Sequence, residues 1–192
     1  MSCDCTCACC KDQRVSSRVG EPAPDFAMKT TEDLEGLTST ASLSDYAGKW
    51  LVLFFYPLDF TFVCPTEILG LSDAYDEFKK LGADVLGVST DSVYSHRAWI
   101  NTPRDQNGIA GVRFPLAADI TKAVSRTYGV LVEDQGIALR GLFIIDPEGV
   151  LQYSVINCLN VGRSVDETLR VLQALQTGGL CPVNWKPGQK TL

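Results

Sequence analysis

The sequence predicts a mixed α/β fold with a central sheet flanked by helices, and three apolar segments carry this prediction. Residues 51–55 and 142–145 are short, continuous apolar runs, which are typical of strands buried on both faces of a sheet. Residues 84–89 form a further strand candidate, and the segment before them has apolar residues at helical spacing. We therefore expect a strand, helix and strand unit near the centre of one sheet.

The size and charge of the chain limit its function. Its 192 residues, 45% of them hydrophobic, are enough for one globular domain with a substantial core. The formal net charge of -6 offers no basic surface for phosphate contacts, so nucleic acid is not an expected partner. No apolar run approaches the roughly 20 residues of a membrane-spanning helix, and the N-terminus lacks the apolar core of a signal peptide. We therefore expect a cytoplasmic protein that does not bind membranes.

The domain is expected to start near Val19. Pro22 and Pro24 make residues 20–26 an extended entry segment, because proline removes a hydrogen-bond donor and disfavours helix. The first apolar strand follows at residues 51–55. After it, helical spacing relates four residues: Ile68, Leu71, Tyr75 and Phe78. This spacing predicts a helix between the first strand and the strand at residues 84–89.

A hairpin and a helix close the domain. Residues 146–149, which read Asp-Pro-Glu-Gly, predict a tight turn between strands at 142–145 and 151–155. Ser164 and Glu167 have the spacing of a capping box, which predicts a helix of about a dozen residues. One face of that helix holds Val165, Leu169, Leu172 and Leu175.

The eight cysteines are not distributed like a disulfide framework. Five of them lie within the first ten residues, so only Cys64, Cys158 and Cys181 serve the body of the chain. Isolated cysteines in a reducing compartment are more often redox-active, metal-binding or buried than structural partners. Each cysteine therefore needs its own interpretation.

Cys64 lies where a buried strand is followed by a predicted helix. Backbone N–H groups in a first helical turn have no intrahelical partner, and together with the helix dipole they favour a thiolate over a thiol. Pro65 supports this placement, because proline suits the first helical position. We therefore predict that Cys64 is a nucleophile; the alternative is a buried cysteine that behaves as a small hydrophobic residue.

The motif P-x-x-x-T-x-x-C, formed by Pro57, Thr61 and Cys64, resembles the peroxidatic signature of the peroxiredoxins. The other segments that look like the typical two-cysteine subgroup are residues 91–92, 98–99, 101–103, 140–146, 161–167, 181–182 and 185–188. This many ordered motifs is far more specific than a single short match. The resemblance implies a thioredoxin-like fold with an N-terminal extension. It divides the chain into a tail at 1–18, a peroxidase domain at 19–178 and a C-terminal segment at 179–192.

The resemblance implies a thiol peroxidase that reduces hydrogen peroxide and small organic hydroperoxides without a cofactor. In that reaction Cys64 attacks one peroxide oxygen while the leaving oxygen collects negative charge. Thr61, Arg140 and the Cys64 backbone N–H match the family's hydrogen-bond donors, and the charge of Arg140 also favours the thiolate. The supporting positions are Glu67 and Arg163, which hold Arg140, and Pro57, which shields the pocket from water.

A second thiol completes the implied cycle. Attack on peroxide leaves a sulfenic acid, which condenses with another cysteine to form a disulfide. Cys181 matches the family's resolving position, where the thiol attacks across a dimer interface, although the sequence alone leaves an intrachain bond or a spectator thiol open. The implied reductant is thioredoxin or a similar dithiol protein. The implied assembly is a homodimer formed by edge-to-edge pairing of the strand at 151–155, five of which form a decameric ring.

The remaining candidates have weaker support. We expect Cys158, at the end of a strand, to be a buried spectator, and His96, the only histidine, to be structural, with a subunit contact as one option. A cysteine cluster in the tail is foreign to the family, and its members are Cys3, Cys5, Cys7 and Cys9. Their alternation would place the four thiols on one side of an extended chain, where they could bind copper(I) or zinc. The spacing is not the C-x-x-C usual in zinc sites, so a disordered, oxidation-prone tail is the main interpretation.

Two departures from the subgroup predict resistance to overoxidation. Sensitive members carry a Gly-Gly-Leu-Gly loop and a C-terminal helix that ends in Tyr-Phe, and both slow local unfolding. Here residues 107–110 read Asn-Gly-Ile-Ala and the chain stops at Leu192 without that helix. We therefore expect Cys64 to unwind its first helical turn readily when it meets Cys181.

Two other functions compete with the peroxidase. A thioredoxin-like disulfide oxidoreductase needs C-x-x-C, and the position after Cys64-Pro65-Thr66 holds Glu67 instead. An oligomeric holdase chaperone is an activity of large assemblies in the family. The sequence offers no separate test of the holdase, which stays a secondary hypothesis.

Overall fold

The computed structural model describes residues 17–192, which form a seven-stranded mixed sheet, a small hairpin, five α-helices and two short 3-10 helices. The strands are β1 (Ala27–Thr30), β2 (Thr40–Ser42), β3 (Trp50–Phe55), β4 (Ala83–Ser89), β5 (Leu116–Ala118), β6 (Leu131–Val132), β7 (Ile137–Ala138), β8 (Arg140–Ile145) and β9 (Leu151–Asn157). The helices are α1 (Cys64–Asp73), α2 (Tyr75–Lys80), α3 (Val93–Ile100), α4 (Ala123–Thr127) and α5 (Val165–Gln176). Strand order in the large sheet is β2-β1-β5-β4-β3-β8-β9, and β6 pairs with β7.

The three predicted apolar strands lie at the centre of the sheet, as expected. β3 runs parallel to β4 and antiparallel to β8, and every residue of β8 is buried. Alternate residues of β3 enter different cores, with Val52 and Phe54 on the side of α1 and α5 and Leu53 on the opposite side. Both faces of the central strands are therefore covered, which is why their sequences are continuously apolar.

The predicted helix after β3 is interrupted. Its apolar face is present, because Ile68, Leu71 and Phe78 are all buried in one core. The helix nevertheless breaks at Ala74, whose φ and ψ are -87° and 6° and whose N–H is directed to the carbonyls of both Gly70 and Ser72. A tight turn thus replaces one continuous helix with α1 and α2.

The predicted hairpin and final helix are confirmed. The turn between β8 and β9 is held by Asp146 Oδ1, which accepts the N–H groups of Glu148 and Val150. α5 contains 12 residues, and Ser164 Oγ accepts the Glu167 N–H at 3.1 Å. The capping box is only half formed, because the Glu167 carboxylate pairs with Arg170 instead of turning back to Ser164.

The order of the strands leaves β9 at one edge of the sheet and β2 at the other. Within residues 17–192, no helix has the length and apolar character needed to cross a membrane.

Candidate active site

Cys64 is the first residue of α1 and its side chain is fully buried. The chain reaches it from β3 through a loop at residues 56–63, and Pro65 follows at the start of the helix as predicted. The sulfur thus lies at the N-terminal end of α1, where the helix dipole favours negative charge. This is the position that the sequence predicts for a nucleophile.

Arg140 is brought to Cys64 by the sheet. It begins β8, and since β8 is antiparallel to β3, the start of β8 lies next to the end of β3 and the loop that leads to α1. Arg140 Nη1 donates to the Cys64 sulfur at 3.4 Å and to Glu67 Oε2 at 2.5 Å, while Nε donates to the Leu159 carbonyl at 2.8 Å. Three acceptors therefore fix the guanidinium in a buried position beside the thiol.

Glu67 joins two arginines. It lies three residues after Cys64, close to one helical turn along α1, and its carboxylate accepts from Arg140 and from both the backbone and the side chain of Arg163. Arg163 also donates to the carbonyls of Phe55 at 2.8 Å and Gly141 at 2.5 Å. The carboxylate and both guanidinium groups are almost entirely buried.

The pKa values of Glu67, Arg140 and Arg163 are set by two opposing effects: burial disfavours the charged form of each group, and neighbouring opposite charges favour it. Burial acts to raise the pKa of Glu67, but hydrogen bonds and the charges of Arg163 and Arg140 outweigh it and the pKa is lowered. Burial also acts on Arg140, whose pKa is nevertheless raised by the hydrogen bond to Cys64 and by the charges of Cys64 and Glu67. For Arg163 burial dominates and the pKa is lowered.

Pro57 and Thr61 lie in the loop before Cys64. Pro57 is buried. The Thr61 hydroxyl donates to the Leu58 carbonyl at 3.1 Å, and the Asn107 side-chain amide donates to the Thr61 carbonyl at 2.9 Å. The Thr61 hydroxyl hydrogen is therefore used in a bond to the backbone. The sequence motif implies instead that this hydroxyl donates to peroxide.

Cys181 lies far from Cys64 along α5. Its sulfur is 3.7 Å from the Ala174 carbonyl and 3.5 Å from Thr177 Oγ1, at the C-terminal end of that helix. The N-terminal end of α5 is next to the cluster, because Arg163 binds Glu67 just before Ser164 caps the helix. A 12-residue helix is about 18 Å long, so α5 separates the two cysteines.

Sequence reasoning was wrong about Cys158 and missed two groups. Cys158 is exposed, not buried, because it follows β9 at the edge of the sheet. The carbonyl of Leu159, which fixes Arg140, has no signal in the sequence. A buried cluster around Asp59 and His96 below the loop also went unnoticed, since 37 residues separate the pair.

The proposed thiol nest in the tail, at Cys3, Cys5, Cys7 and Cys9, lies outside the described residues. Within residues 17–192, no group of three or more His, Cys, Asp and Glu side chains is arranged to hold a metal ion.

Comparison with known proteins identifies the family to which this geometry belongs. The sequence profile of the AhpC/TSA family matches residues 19–154, and the profile described as the C-terminal domain of 1-Cys peroxiredoxin matches residues 173–192. The chain belongs to the AhpC/TSA family of peroxiredoxins. Peroxiredoxins are thiol peroxidases, and this chain is therefore an enzyme of that oxidoreductase class.

Individual peroxiredoxins match nearly the whole chain. The chloroplastic 2-Cys peroxiredoxin BAS1 of Hordeum vulgare is 56% identical over 179 residues, which cover 91% of this chain and 84% of the relative. Peroxiredoxin-2 of Rattus norvegicus is 55% identical over 181 residues, covering 92% and 90%. The crystal structure of reduced 2-Cys peroxiredoxin from Plasmodium vivax superposes with a TM-score of 0.85 at 41% identity, covering 91% and 92%. The mixed α/β architecture is thus that of the thioredoxin-like peroxiredoxins.

Proposed function

We propose that Cys64 is the peroxidatic cysteine and Cys181 the resolving cysteine of a peroxidase acting on hydrogen peroxide and small alkyl hydroperoxides. The observation that supports this most directly is the 3.4 Å contact between Arg140 Nη1 and the Cys64 sulfur in a buried pocket. A guanidinium so close to a thiol at a helix N-terminus favours the thiolate, which is the nucleophilic form. The required oxidant is the substrate itself.

The first step uses these groups directly. The Cys64 thiolate attacks the terminal oxygen of ROOH, the O–O bond breaks, and the sulfur becomes a sulfenic acid while RO⁻ leaves and takes up a proton as ROH. Arg140 and the Cys64 backbone N–H donate to the oxygen on which negative charge develops. Glu67 and Arg163 act as positioning residues for Arg140, since they restrict its guanidinium without facing the sulfur.

Thr61 and Pro57 complete the proposed pocket. Thr61 becomes a donor to peroxide once its hydroxyl leaves the Leu58 carbonyl, a change that needs only rotation of one side chain. Buried Pro57 excludes water from the same loop. Excluding water strengthens the interaction of Arg140 with the developing charge.

Resolution is proposed to occur between subunits. The Cys181 thiol attacks the sulfenic sulfur of Cys64, the S–O bond breaks, and a disulfide and one water form. Within one subunit the two sulfurs lie at opposite ends of α5, which opposes an intrachain bond in this fold. A thioredoxin-like dithiol protein then reduces the disulfide, and the cytoplasm is the proposed location.

The surface supports assembly of the dimer and then of a decamer. β9 is an edge strand, so its residues 151–155 are available to pair with a second copy. A separate face exposes the large apolar side chains of Tyr94 and Ile120, which border a groove of about 540 Å³. We assign this face to contacts between dimers, because exposed apolar surface of this kind marks interaction sites.

Assembly is tested with two surface variants. Ile120→Asp alters the face assigned to contacts between dimers, and Ile156→Asp alters β9, the strand assigned to the dimer itself. We expect sedimentation of the reduced protein to show a decamer that Ile120→Asp converts to dimers, while Ile156→Asp weakens the dimer itself. A wild-type protein that sediments as a dimer at all concentrations contradicts the decamer.

The resolution step is tested by mixing two full-length variants, Cys64→Ser and Cys181→Ser, and adding peroxide. Across-subunit resolution predicts a Cys64 to Cys181 link between the two different chains, identified by peptide mass spectrometry. Cys158→Ser serves as a control and should leave that link unchanged. No link in the mixture, together with an intrachain link in the wild-type protein, contradicts the proposal.

The competing functions gain less support. A C-x-x-C oxidoreductase needs a thiol where Glu67 stands, and that carboxylate is committed to Arg140 and Arg163. The holdase activity stays a prediction; a Cys64→Ser variant that suppresses aggregation without peroxidase activity is the measurement that establishes it.

A further inference from the structure

The loop between α3 and β5 reaches across to the 56–63 loop, which leads to Cys64. The side-chain amide of Asn107 donates to the Thr61 carbonyl at 2.9 Å, although 46 residues separate the two in the chain. A carbonyl oxygen can only accept, so the amide nitrogen is the donor. The bond therefore fixes the backbone at Thr61 and does not use the Thr61 hydroxyl.

Asn107 projects from a firmly packed segment. Its own carbonyl accepts from Trp99 Nε1 at 2.8 Å, and the side chains of Trp99 and Ile109 are both fully buried. The backbone packs so closely here that a Cβ atom on Gly108 would lie 1.9 Å from the Thr102 carbonyl oxygen. Such close packing leaves the segment little freedom to shift. The amide of Asn107 is thus presented from a rigid support.

The turn at Asn107 does not itself require an asparagine. Its φ and ψ of 62° and 23° lie in the left-handed region, which glycine adopts at no steric cost and which asparagine tolerates. A glycine here satisfies the turn but has no side chain that reaches Thr61. The contact with the 56–63 loop is therefore the contribution that is specific to the asparagine side chain.

The 56–63 loop depends on this contact in its second half. The first half is anchored at Asp59, whose backbone N–H donates to Asp91 Oδ2 at 2.9 Å. Within the part of the chain that the structure describes, the bond from Asn107 is the only hydrogen bond that joins residues 60–63 to the fold beyond this loop and α1. The residues just before the nucleophile therefore have a single polar anchor.

The path of this half of the loop also carries backbone strain. Phe60 has a φ of 55°, in the left-handed region that a bulky residue rarely adopts. Its ring packs on Trp99 with a centroid distance of 5.9 Å, but the residue is still 46% exposed. A strained and half-exposed residue favours release of the loop. The bond at the next residue, Thr61, opposes that release.

We propose that Asn107 is a positioning residue, which holds Thr61 and the start of α1 in the arrangement that reacts with peroxide. The proposal rests on the roles assigned above to Cys64 and Thr61. Cys64 is fully buried, so the first turn of α1 has to open before its sulfur meets Cys181, and this movement breaks the bond from Asn107. Asn107 therefore favours the first step of the cycle and opposes the second. One exposed hydrogen bond changes an equilibrium by about 2- to 10-fold, so it slows the opening without preventing it.

Two full-length variants remove the amide donor in different ways. Asn107→Gly keeps the left-handed backbone and deletes the side chain, whereas Asn107→Asp keeps the shape and faces Thr61 with a carboxylate, which can only accept. The peroxide step is isolated in a Cys181→Ser background, where rapid quenching and mass spectrometry follow the oxidation of Cys64 by hydrogen peroxide. We expect this oxidation to be about 2- to 10-fold slower in both variants.

The second step should change in the opposite direction. With Cys181 present, the disulfide forms from oxidised Cys64 at a rate that does not depend on peroxide, and we expect this rate to rise about 2- to 10-fold in both variants. Hydrogen exchange in the reduced proteins should report the same effect without any reaction, as faster exchange at residues 61–67. A general loss of folding slows both steps, so opposite signs separate positioning of the loop from support of the fold.

Asn184→Gly is the matched control for the peroxide step. Asn184 is exposed and has a φ of 57°, so the variant makes the same change at the same backbone conformation and should leave the oxidation of Cys64 unchanged.

Three results overturn the proposal: unchanged rates in both Asn107 variants, a fall in both steps, or an effect of glycine without one of aspartate. In the last case, flexibility of the turn and not the amide explains the change. A wild-type protein in which Cys64 does not react with peroxide contradicts the proposed function instead. The hydrogen exchange comparison then still decides whether Asn107 holds the 56–63 loop, since it needs no reaction.

Discussion

Arg140 Nη1 lies 3.4 Å from the sulfur of Cys64, although 76 residues separate the two in the chain. The buried cluster around this contact contains two guanidinium groups, of Arg140 and Arg163, and one carboxylate, of Glu67. These three charges leave an excess of one positive charge. The excess charge lies beside the Cys64 sulfur, which is where the proposed mechanism requires a thiolate.

Arg140→Lys tests this relationship while keeping the charge. Lysine has a compact head group and cannot donate at once to Cys64, Glu67 and the Leu159 carbonyl, as the planar guanidinium does. We expect the rate of Cys64 oxidation by hydrogen peroxide, measured by stopped flow, to fall about 10²- to 10³-fold. Arg126→Lys, which alters an exposed pair with Glu133, is the matched control. A rate within twofold of wild type contradicts a catalytic role for Arg140.

Glu67→Gln removes the carboxylate that holds two buried cations. Because Arg140 and Arg163 then lose the buried carboxylate that joins them, we expect the free energy of unfolding in urea to fall by about 3 to 5 kcal/mol. Glu133→Gln, at an exposed ion pair, is the control and should have little effect. A loss no larger than that of the control means that the arginines find other partners.

The same residue predicts how stability depends on pH. The folded pKa of Glu67 is lower than its value in an unfolded chain, about 4.3. Its stabilising contribution is thus fully present above that value and is lost as the pH falls through the lower folded pKa. Urea titrations from pH 7 to pH 3 should show the wild-type protein losing this increment while Glu67→Gln loses less. Parallel curves for the two proteins count against this assignment.

The strands of the fold could be predicted because their signal is local. β3 and residues 142–145 of β8 are covered on both faces, so these segments are continuously apolar. The break at Ala74 could not be predicted, since alanine favours helix and neither glycine nor proline marks the position. The exposure of Cys158 depends on the edge position of β9, which is a property of strand order and is not encoded in the neighbouring residues.

The site residues also differ in whether neighbouring residues in the sequence indicate their positions. Cys64 could be placed from its own surroundings, at the junction of an apolar strand and a helix. Its contact with Arg140 requires the antiparallel register of β8 on β3, and only resemblance to a family supplied it in advance. The pairing of Asp59 with His96 depends on the packing of a loop against α3, and no local pattern indicates it.

Disulfide formation requires α1 to open at its start. Cys64 is fully buried, and the N–H groups of Thr66 and Glu67 donate to the Val63 carbonyl at 3.1 and 3.3 Å. Exposing the sulfur to Cys181 breaks this first turn. We expect hydrogen exchange at Thr66 and Glu67 to be slow in the reduced protein and fast in the disulfide form. Equal exchange in both forms contradicts unwinding.

Ready unwinding also predicts resistance to overoxidation. The loop at residues 107–110 departs from the Gly-Gly-Leu-Gly sequence of sensitive relatives, and its Asn107 side chain contacts the Thr61 carbonyl. We expect mass spectrometry during turnover with excess peroxide to find the disulfide in large excess over Cys64 sulfinic acid. Rapid accumulation of the sulfinic acid is the contrary result.

Thr177 is expected to restrain the resolving cysteine before it reacts. Its hydroxyl donates to the Ala174 carbonyl at 2.8 Å and lies 3.5 Å from the Cys181 sulfur, which also has that carbonyl as a hydrogen-bond acceptor at 3.7 Å. The sulfur lies at the carbonyl end of α5, where negative charge is disfavoured. These contacts hold the Cys181 side chain against the C-terminal end of α5.

Thr177→Val removes the hydroxyl with little change in shape and should release Cys181. A hydrogen bond of this kind contributes about 0.5 to 1.5 kcal/mol, so we expect alkylation of Cys181, followed in a Cys64→Ser background, to rise about 2- to 10-fold. Thr177→Ser keeps the oxygen and should restore the wild-type rate. If serine and valine behave alike, the effect comes from packing at the end of α5, and the hydroxyl does not control the reactivity of Cys181.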